Sequence, residues 1–150
     1  MRIARIGTDD VGLAAVLFAD YRVFYGQPYD LDVAETFLRE RLTADESIIF
    51  LAYNDDEEAV GFIQVYRSFS STTVSRTWIL NDLFVDERAR GTGVVDALMS
   101  AVEEHAAADG IAEIELATAH DNVRAQTVYV RHGYELDTVF RIYTKPVPPR

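Results

Sequence analysis

The chain has 150 residues, 49% of them hydrophobic, and carries 25 acidic against 14 basic residues, for a formal net charge of −11. This length suits a single domain over residues 1–150, and no apolar stretch approaches the ~18 residues that a membrane span requires. The absence of cysteine excludes disulfides, a thiol nucleophile, thiolate metal sites and iron–sulfur clusters, and the acidic balance argues against a nucleic-acid partner.

The first half of the chain predicts a strand, two helices and a hairpin. Residues 2–6 are expected to form a short strand, and residues 8–26 and 30–44 carry apolar residues at helical spacing. Residues 47–53 and 59–69 are rich in β-forming residues and flank the turn sequence NDDEE. This arrangement is typical of a β-hairpin.

The second half predicts three more strands and two more helices. Residues 72–85 are rich in β-forming residues on both faces, which favours a central strand. A helix is expected from Thr92 to Asp109, then a strand at 112–118. Residues 122–133 predict a short helix, and residues 135–147 predict a final extended segment.

The order of these elements implies one α/β domain with a mixed sheet covered by helices. The strand, turn, helix and strand between residues 78 and 118 are expected to supply a parallel pair at the centre of that sheet. The sequence contains no internal repeat, low-complexity tract or linker.

The stretch LNDLFVDERARGTGVV, residues 80–95, contains two unusual features next to each other. Asn81 and Asp82 interrupt an apolar strand, although a buried strand disfavours a carboxylate. The strand then runs into glycines that precede a helix. Such a turn can bind a phosphate through its backbone N–H groups and the helix N-terminus. The alternative is that Gly91 and Gly93 only permit a tight turn between strand and helix.

The segment from Val60 to Lys145 resembles the GNAT superfamily of acyl-CoA-dependent N-acyltransferases. In that family a bulged fourth strand leads into an arginine- and glycine-rich pyrophosphate loop, and a later short helix reads N-x-x-A-x-x-x-Y-x-x-x-G-[FY]. The sequence NVRAQTVYVRHGY matches the helix pattern at Asn122, Ala125, Tyr129, Gly133 and Tyr134. The resemblance implies a central mixed sheet of about six to seven strands flanked by four helices.

The resemblance also implies acetyl-CoA as cosubstrate and assigns residues to it. The backbone from Leu83 through Phe84 to Val85 is expected to bind the pantetheine arm. Asn122 is expected to contact the middle of the cosubstrate and Tyr129 its thiol. The residues expected at the pyrophosphate are Arg90, Gly91, Thr92, Gly93, Val94 and Val95.

One position departs from the family loop, which runs R/Q-x-x-G-x-G/A. With Arg90 in the first place, Val95 stands where glycine or alanine is expected. A second register, from Arg88 to Gly93, fits the pattern but shifts the loop by two residues relative to Val85. We expect Val95 to weaken CoA binding or to displace the loop slightly.

Acetyl transfer to a primary amine would give the polar residues Asn81 and Asp82 a chemical role in the strand. An alkylamine with a pKa of ~10.4 is mostly protonated at neutral pH, so its proton needs an acceptor. Asp82 is the predicted acceptor, directly or through water, and Tyr129 is the predicted acid that protonates the thiolate. Alternatively, Asp82 is a turn carboxylate that binds backbone N–H groups. No metal is expected.

The predicted acceptor is a small cationic amine bound by Asn81, Asp82 and Tyr25. The strand resembles the diamine acetyltransferase branch, which carries Glu-Asp where this chain has Asn81 and Asp82. Residues 1–60 hold 13 acids against five bases, which favours cations or serves only solubility. Four aromatic residues near the first two helices either line the acceptor pocket or belong to the core. They are Tyr21, Phe24, Tyr25 and Tyr29.

Two functions of other classes remain open: an acyl-CoA sensor without turnover, and an interaction module whose acidic first half binds a basic protein. The three histidines lack metal-ligand spacing, and His105 is expected to lie over the core. The sequence opens without a basic, apolar leader, so we expect a cytoplasmic protein with no membrane partner. A homodimer is compatible with the sequence.

Overall fold

A computed structural model describes residues 1–149 of the chain. These residues separate into two compact units, Met1–Ala117 and a second that begins at Thr118. The first unit contains the whole sheet and three of the helices, and the second contains the fourth helix.

The sheet has five strands in the order β1-β2-β3-β4-β5. Neighbouring strands are antiparallel except β4 and β5, which are parallel. The predicted mixed α/β fold and the predicted hairpin, β2 with β3, are therefore confirmed. The strands are β1 (Arg2–Arg5), β2 (Ser47–Tyr53), β3 (Ala59–Ser70), β4 (Ser75–Val85) and β5 (Glu113–Leu116).

The four predicted α-helices are also confirmed. Asp30 caps the second helix, because its side chain accepts the Val33 N–H at 3.0 Å. Gly26 and Gly110 have positive φ angles of 85° and 70° just beyond two of the helix ends, where glycine adopts the left-handed conformation without strain. The helices are α1 (Val11–Phe24), α2 (Leu31–Thr43), α3 (Val94–Ala108) and α4 (Val123–Arg131), with one-turn 3-10 helices at Thr8–Asp10 and Glu87–Ala89.

The helices of the first unit cover both faces of the sheet. On one face, Phe18 of α1 and Leu38 of α2 belong to a buried cluster with Phe62 of β3. On the other face, the ring of His105 in α3 lies 4.7 Å from that of Phe50 in β2. His105 therefore packs over the core as predicted. The start of α3 lies so close to β3 that a Cβ atom at Gly61 would come within 3.0 Å of a neighbouring side chain.

Two predictions about the sheet are wrong. The sheet has five strands instead of six to seven, because residues 134–149, which include the predicted last strand at 135–147, form no strand. A strand needs hydrogen bonds to a neighbour, and β5 pairs with β4 alone among residues 1–149. The parallel pair β4 and β5 forms, but it lies at the edge of the sheet and not at its centre.

Candidate active site

Asn81 and Asp82, the two polar residues that interrupt the apolar part of β4, lie at a β-bulge. Gln64 of β3 pairs with Asp82, and the next residue, Val65, pairs with Leu80, so Asn81 has no opposite partner on β3. A bulge of this kind adds one residue to a strand and changes which way the following side chains point. Here it places Asp82 on the face of the sheet that α1 covers, where Asp82 lies beside Gln64.

Asp82 is a buried carboxylate held by neutral donors. Its side chain is 5% exposed, and one oxygen accepts the Gln64 Nε2–H at 2.6 Å. The other oxygen accepts the Asn81 Nδ2–H at 3.1 Å. These bonds compensate part of the cost of burying the carboxylate. The alternative interpretation as a turn carboxylate that binds backbone N–H groups is wrong, because both of these bonds come from side chains within the sheet.

The charge of Asp82 acts on two partly buried tyrosines, Tyr21 and Tyr66. Burial raises the pKa of Tyr21, and the negative charge of Asp82 raises that pKa further. Burial also raises the pKa of Tyr66 to about 12, with a further contribution from Asp82. The Tyr66 hydroxyl accepts a hydrogen bond from Gln64 at 3.3 Å. Tyr21 and Tyr66 therefore keep their protons at neutral pH.

The rings around Tyr21 form a wall between α1 and the sheet. The Tyr21 ring lies 5.7 Å from Phe62 and 6.2 Å from Phe84, both edge-on. On its outer side the Tyr25 ring lies 4.9 Å away and is 62% exposed. Tyr21 therefore belongs to the core and to the surroundings of Asp82 at once, whereas Tyr25 extends the same wall into solvent.

Sequence analysis missed Gln64 and did not connect Tyr21 with Asp82. Gln64 is fully buried in β3 and is the one residue of its strand that bonds to the Asp82 side chain. A signal was present, since Gln64 interrupts the apolar run GFIQVY of the predicted hairpin. Its meaning depends on the register between β3 and β4, which the bulge shifts.

The glycine loop joins β4 to α3 through left-handed backbone. Gly91 and Gly93 have φ angles of 77° and 85°, and a Cβ atom at either would meet nothing within 4 Å. Glycine is therefore favoured here by the backbone angle and not by lack of space. The Thr92 hydroxyl donates to the Ala89 carbonyl, which holds the loop in a compact turn.

Structure distinguishes the two arginines of the loop. Arg88 lies in ion pairs with Glu58 at 3.1 Å and Asp86 at 3.3 Å. Arg90 instead donates its Nε–H to the Val85 carbonyl at 3.1 Å, which ties the loop to the end of β4. The negative partners of Arg88 compete with a phosphate, so the geometry favours the loop register that begins at Arg90.

Part of β4 has an open edge. On the side of β5, only Thr77 to Leu80 of β4 are paired, so among residues 1–149 no strand covers the stretch from Asn81 to Val85. This stretch includes Leu83, Phe84 and Val85. An extended ligand with amide groups can hydrogen-bond to such an edge as an added strand does. The pantetheine arm of CoA has that chemistry, so the residues present fit it.

Asn122 and Tyr129 lie in the second unit. Asn122 caps α4, because its side chain accepts the Ala125 N–H at 3.2 Å. Tyr129 is half-buried on α4, and its ring lies 6.3 Å from that of Tyr134. The first unit brings Asn81 and Asp82 together with Gln64.

Other features of the described residues contribute no chemistry to this site. Residues 1–149 contain no cluster of three or more histidine, aspartate or glutamate side chains suited to a metal ion. None of their helices is both long and apolar enough to cross a membrane. A shallow groove on α2 contains none of the predicted site residues; it is lined by Asp32, Val33, Thr36, Phe37 and Glu40.

Comparison with known proteins gives consistent matches. Residues 14–134 match the acetyltransferase (GNAT) family. The chain is 42% identical over 150 residues to the uncharacterized N-acetyltransferase YhfO of Bacillus subtilis (strain 168), covering 100% of both chains. It is 35% identical over 82 residues to a D-amino-acid N-acetyltransferase of Saccharomyces cerevisiae, covering 55% of this chain and 51% of that one. A crystal structure of a probable acetyltransferase, 38% identical, covers 100% of both chains with a TM-score of 0.93.

Proposed function

This chain belongs to the acetyltransferase (GNAT) family, an acetyl-CoA-dependent enzyme family, and we propose that it acetylates a small cationic primary amine. The observation that carries this proposal is the buried carboxylate of Asp82, which lies at a strand bulge among neutral donors and below an aromatic wall. Acetyl-CoA supplies the acetyl group as a thioester. The chain's own residues bind the amine, accept its proton and protonate the leaving sulfur.

Proton transfer at Asp82 balances the reaction without a covalent enzyme intermediate. The amine nitrogen attacks the thioester carbonyl, the new C–N bond forms, and the C–S bond breaks. An Asp82 oxygen takes the proton of the amine, directly or through water, and Tyr129 gives a proton to the thiolate. Asp82 then releases its proton to solvent and the Tyr129 phenolate takes one up, so both side chains return to their starting state. Gln64 and Asn81 keep the carboxylate in place while its charge changes.

Charge and aromatic rings support a cationic acceptor. The first 60 residues, which include α1 and α2, hold 13 acids against five bases. Tyr25 presents an exposed ring next to Tyr21, and such rings attract ammonium groups. A diamine, a basic amino acid and an aminosugar all meet these requirements. The similarity to a D-amino-acid N-acetyltransferase supports an amino acid as the acceptor.

Salt should affect the cationic substrates selectively. Attraction between exposed charges is screened within about 8 Å at physiological ionic strength. We expect kcat/KM for a cationic amine to fall by roughly threefold or more between about 0.05 M and about 0.3 M salt, while kcat changes little. Release of the CoA thiol, measured against a panel of neutral and cationic amines, tests this.

The same assay separates the proposal from its alternatives. A preference for neutral amines, or a kcat/KM independent of salt, would mean that the acidic surface serves solubility alone. Binding of acetyl-CoA without thiol release for any amine would indicate a sensor. If the protein neither binds acetyl-CoA nor releases its thiol, the acidic interaction module is the remaining alternative.

Charge reversal in the loop tests the cosubstrate site. Arg90→Glu is expected to weaken acetyl-CoA binding by about tenfold or more in calorimetry, because a charge-assisted contact to the pyrophosphate becomes repulsion. Arg88→Glu is the matched control and should bind more tightly than Arg90→Glu, since Arg88 already faces carboxylates. Equal losses of acetyl-CoA affinity in both variants would show that the change in net charge, and not a contact made by Arg90, weakens binding.

Val95→Gly is expected to retain or tighten acetyl-CoA binding, and a large loss of affinity would show that Val95 is a packing residue.

A further inference from the structure

The two oxygens of the buried Asp82 carboxylate have different partners. Oδ2 accepts the Nε2–H of Gln64 at 2.6 Å, and Oδ1 accepts the Nδ2–H of Asn81 at 3.1 Å. An ionised carboxylate only accepts hydrogen bonds, whereas a protonated carboxyl group also donates one. When Asp82 takes up a proton, the partner of the protonated oxygen must therefore change from a donor into an acceptor. Both partners are amides, which carry a donor at one end and an acceptor at the other.

Gln64 is held as a donor. Its side chain is fully buried, and its Nε2 donates to Asp82 Oδ2 at 2.6 Å and to the Tyr66 hydroxyl at 3.3 Å. A half-turn of this amide would bring its NH2 group to the place of Oε1, a buried atom that has no hydrogen-bond partner among residues 1–149. Two N–H groups there would need acceptors inside the core, where an unpaired polar group is costly. The surroundings of Gln64 therefore favour its present orientation.

Asn81 is free to reverse its amide. Its side chain is exposed, and it lies at the bulge without an opposite residue on β3. Water can bind the end of the amide that does not contact Asp82, so neither orientation leaves a polar group unpaired. The two ends have nearly the same shape, and a half-turn replaces the Nδ2–H donor by the Oδ1 acceptor without moving a neighbour. Asn81 can therefore bond to Asp82 in both of its protonation states.

We propose that Oδ1 of Asp82 takes up the proton of the amine, and that Asn81 is a positioning residue whose amide reverses as this happens. In the ionised state, Asn81 donates to Oδ1 of Asp82. In the protonated state, the hydroxyl of Asp82 donates to the side-chain oxygen of Asn81, while Gln64 still donates to Oδ2. When Asp82 releases its proton to solvent, the Asn81 amide turns back.

This assignment also sets the side from which the proton reaches Asp82. Oδ2 contacts a buried residue of β3, whereas Oδ1 contacts an exposed residue of the bulge. The amine, or the water that carries its proton, therefore contacts Asp82 beside Asn81. The role in catalysis rests on the proposed acetyl transfer, but the hydrogen bonds are a property of the free protein and are tested there.

The ionisable side chains that interact with Asp82 or its neighbours keep their charge in such a test. Burial, together with the charge of Asp82, raises the pKa of Tyr21 of α1 and of Tyr66 of β3. Arg41 of α2 acts on Tyr66 and stays charged. None of these three side chains changes its charge below about pH 9. A change of the hydrogen bonds below that pH therefore reports Asp82 itself.

The side-chain amide protons of Asn81 and Gln64 test the proposal by NMR, without acetyl-CoA or amine. The Asn81 signal is expected to lose the shift of a hydrogen-bonded proton as the carboxyl carbon of Asp82 titrates, while the Gln64 signal keeps it. Asn54, whose Nδ2–H donates to Glu58 at 3.0 Å, is the internal control and should follow Glu58 instead. A change at Gln64, or none at Asn81, would overturn the proposal.

Asp82→Asn gives the same test at a single pH, because its amide, like a protonated carboxyl group, has one donor and one acceptor. In this variant the Asn81 amide proton should lack the hydrogen-bonded shift at every pH, and Gln64 should retain it. The opposite pattern would place the proton on Oδ2 and contradict the proposal.

Variants of the two amides separate positioning from packing. Gln64→Met removes a donor that favours the ionised form, so the Asp82 titration and the pH dependence of kcat/KM should move upward by about one unit or more. Asn81→Leu should move them by less than half as much, because Asn81 bonds to both states, yet it should lower kcat by roughly tenfold. Asn81→Gln keeps both ends of the amide and should retain most of kcat. Equal upward shifts in Gln64→Met and Asn81→Leu would show that Asn81 is only a donor.

The two kinds of measurement distinguish failure of this proposal from failure of the proposed function. If no amine is acetylated but the Asn81 signal follows Asp82, the hydrogen-bond assignment stands and the proposed function is wrong. If amines are acetylated but the Gln64 signal follows Asp82, the proposed function stands and the assignment of the proton to Oδ1 is wrong.

Discussion

Asp82→Asn is expected to lower kcat by about 10²-fold or more, the scale usual for general acid–base catalysis. The amide has the shape of the carboxylate, and its oxygen still accepts a hydrogen bond from Gln64 or Asn81, so the bulge should persist. What the variant loses is the ability to take up the amine proton. Thiol release at saturating acetyl-CoA and amine measures the loss.

A matched control separates chemistry from charge and folding. Asp20→Asn makes the same substitution at an exposed position of α1, one residue before Tyr21, and should leave kcat unchanged. Both variants should bind acetyl-CoA as the wild type does and unfold at similar temperatures. Full activity of Asp82→Asn would show that Asp82 only maintains the bulge, and that the amine loses its proton to another group or to water.

A conservative pair of variants measures how the carboxylate is positioned. Gln64→Glu places a second acid 2.6 Å from Asp82, whereas Tyr66→Phe removes only the hydroxyl that Gln64 contacts at 3.3 Å. Like charges at this distance repel and raise the pKa of one carboxyl. The pH dependence of kcat/KM should therefore shift in the first variant and remain in place in the second.

Local sequence predicted much of this site, because its signals are local. Asn81 and Asp82 stand out in an apolar strand, and the bulge at Asn81 confirms that the interruption has a structural origin. Gly91 and Gly93 adopt the left-handed backbone that their position before a helix indicated. In each case the residue type alone indicates an unusual local structure. Burying a carboxylate costs free energy, and so does a positive φ angle for residues other than glycine.

Features that depend on distant pairing could not be predicted in the same way. Gln64 contacts Asp82 across 18 positions of sequence, and the contact exists only in the shifted register of β3 and β4. The segment at 135–147 has the composition of a strand, but composition does not provide a neighbouring strand. Among residues 1–149 this segment pairs with no strand, and the sheet ends at β5, which is why the predicted strand count was too high.

Tyr129→Phe is expected to lower kcat by about 10²-fold with little change in the affinity for acetyl-CoA. A tyrosine hydroxyl keeps its proton at neutral pH, so it can donate that proton to the leaving sulfur as the C–S bond breaks and regain one from solvent afterwards. Phenylalanine keeps the ring that packs 6.3 Å from Tyr134 and removes only the donor. Tyr134→Phe, in the same unit, is the control and should retain kcat. The test compares the change in kcat with the change in acetyl-CoA affinity. Loss of an acid acts only after the substrates are bound, so it should lower kcat alone, whereas a packing defect would weaken acetyl-CoA binding as well. A fully active Tyr129→Phe variant would assign the ring to packing alone and leave the thiolate to be protonated by solvent.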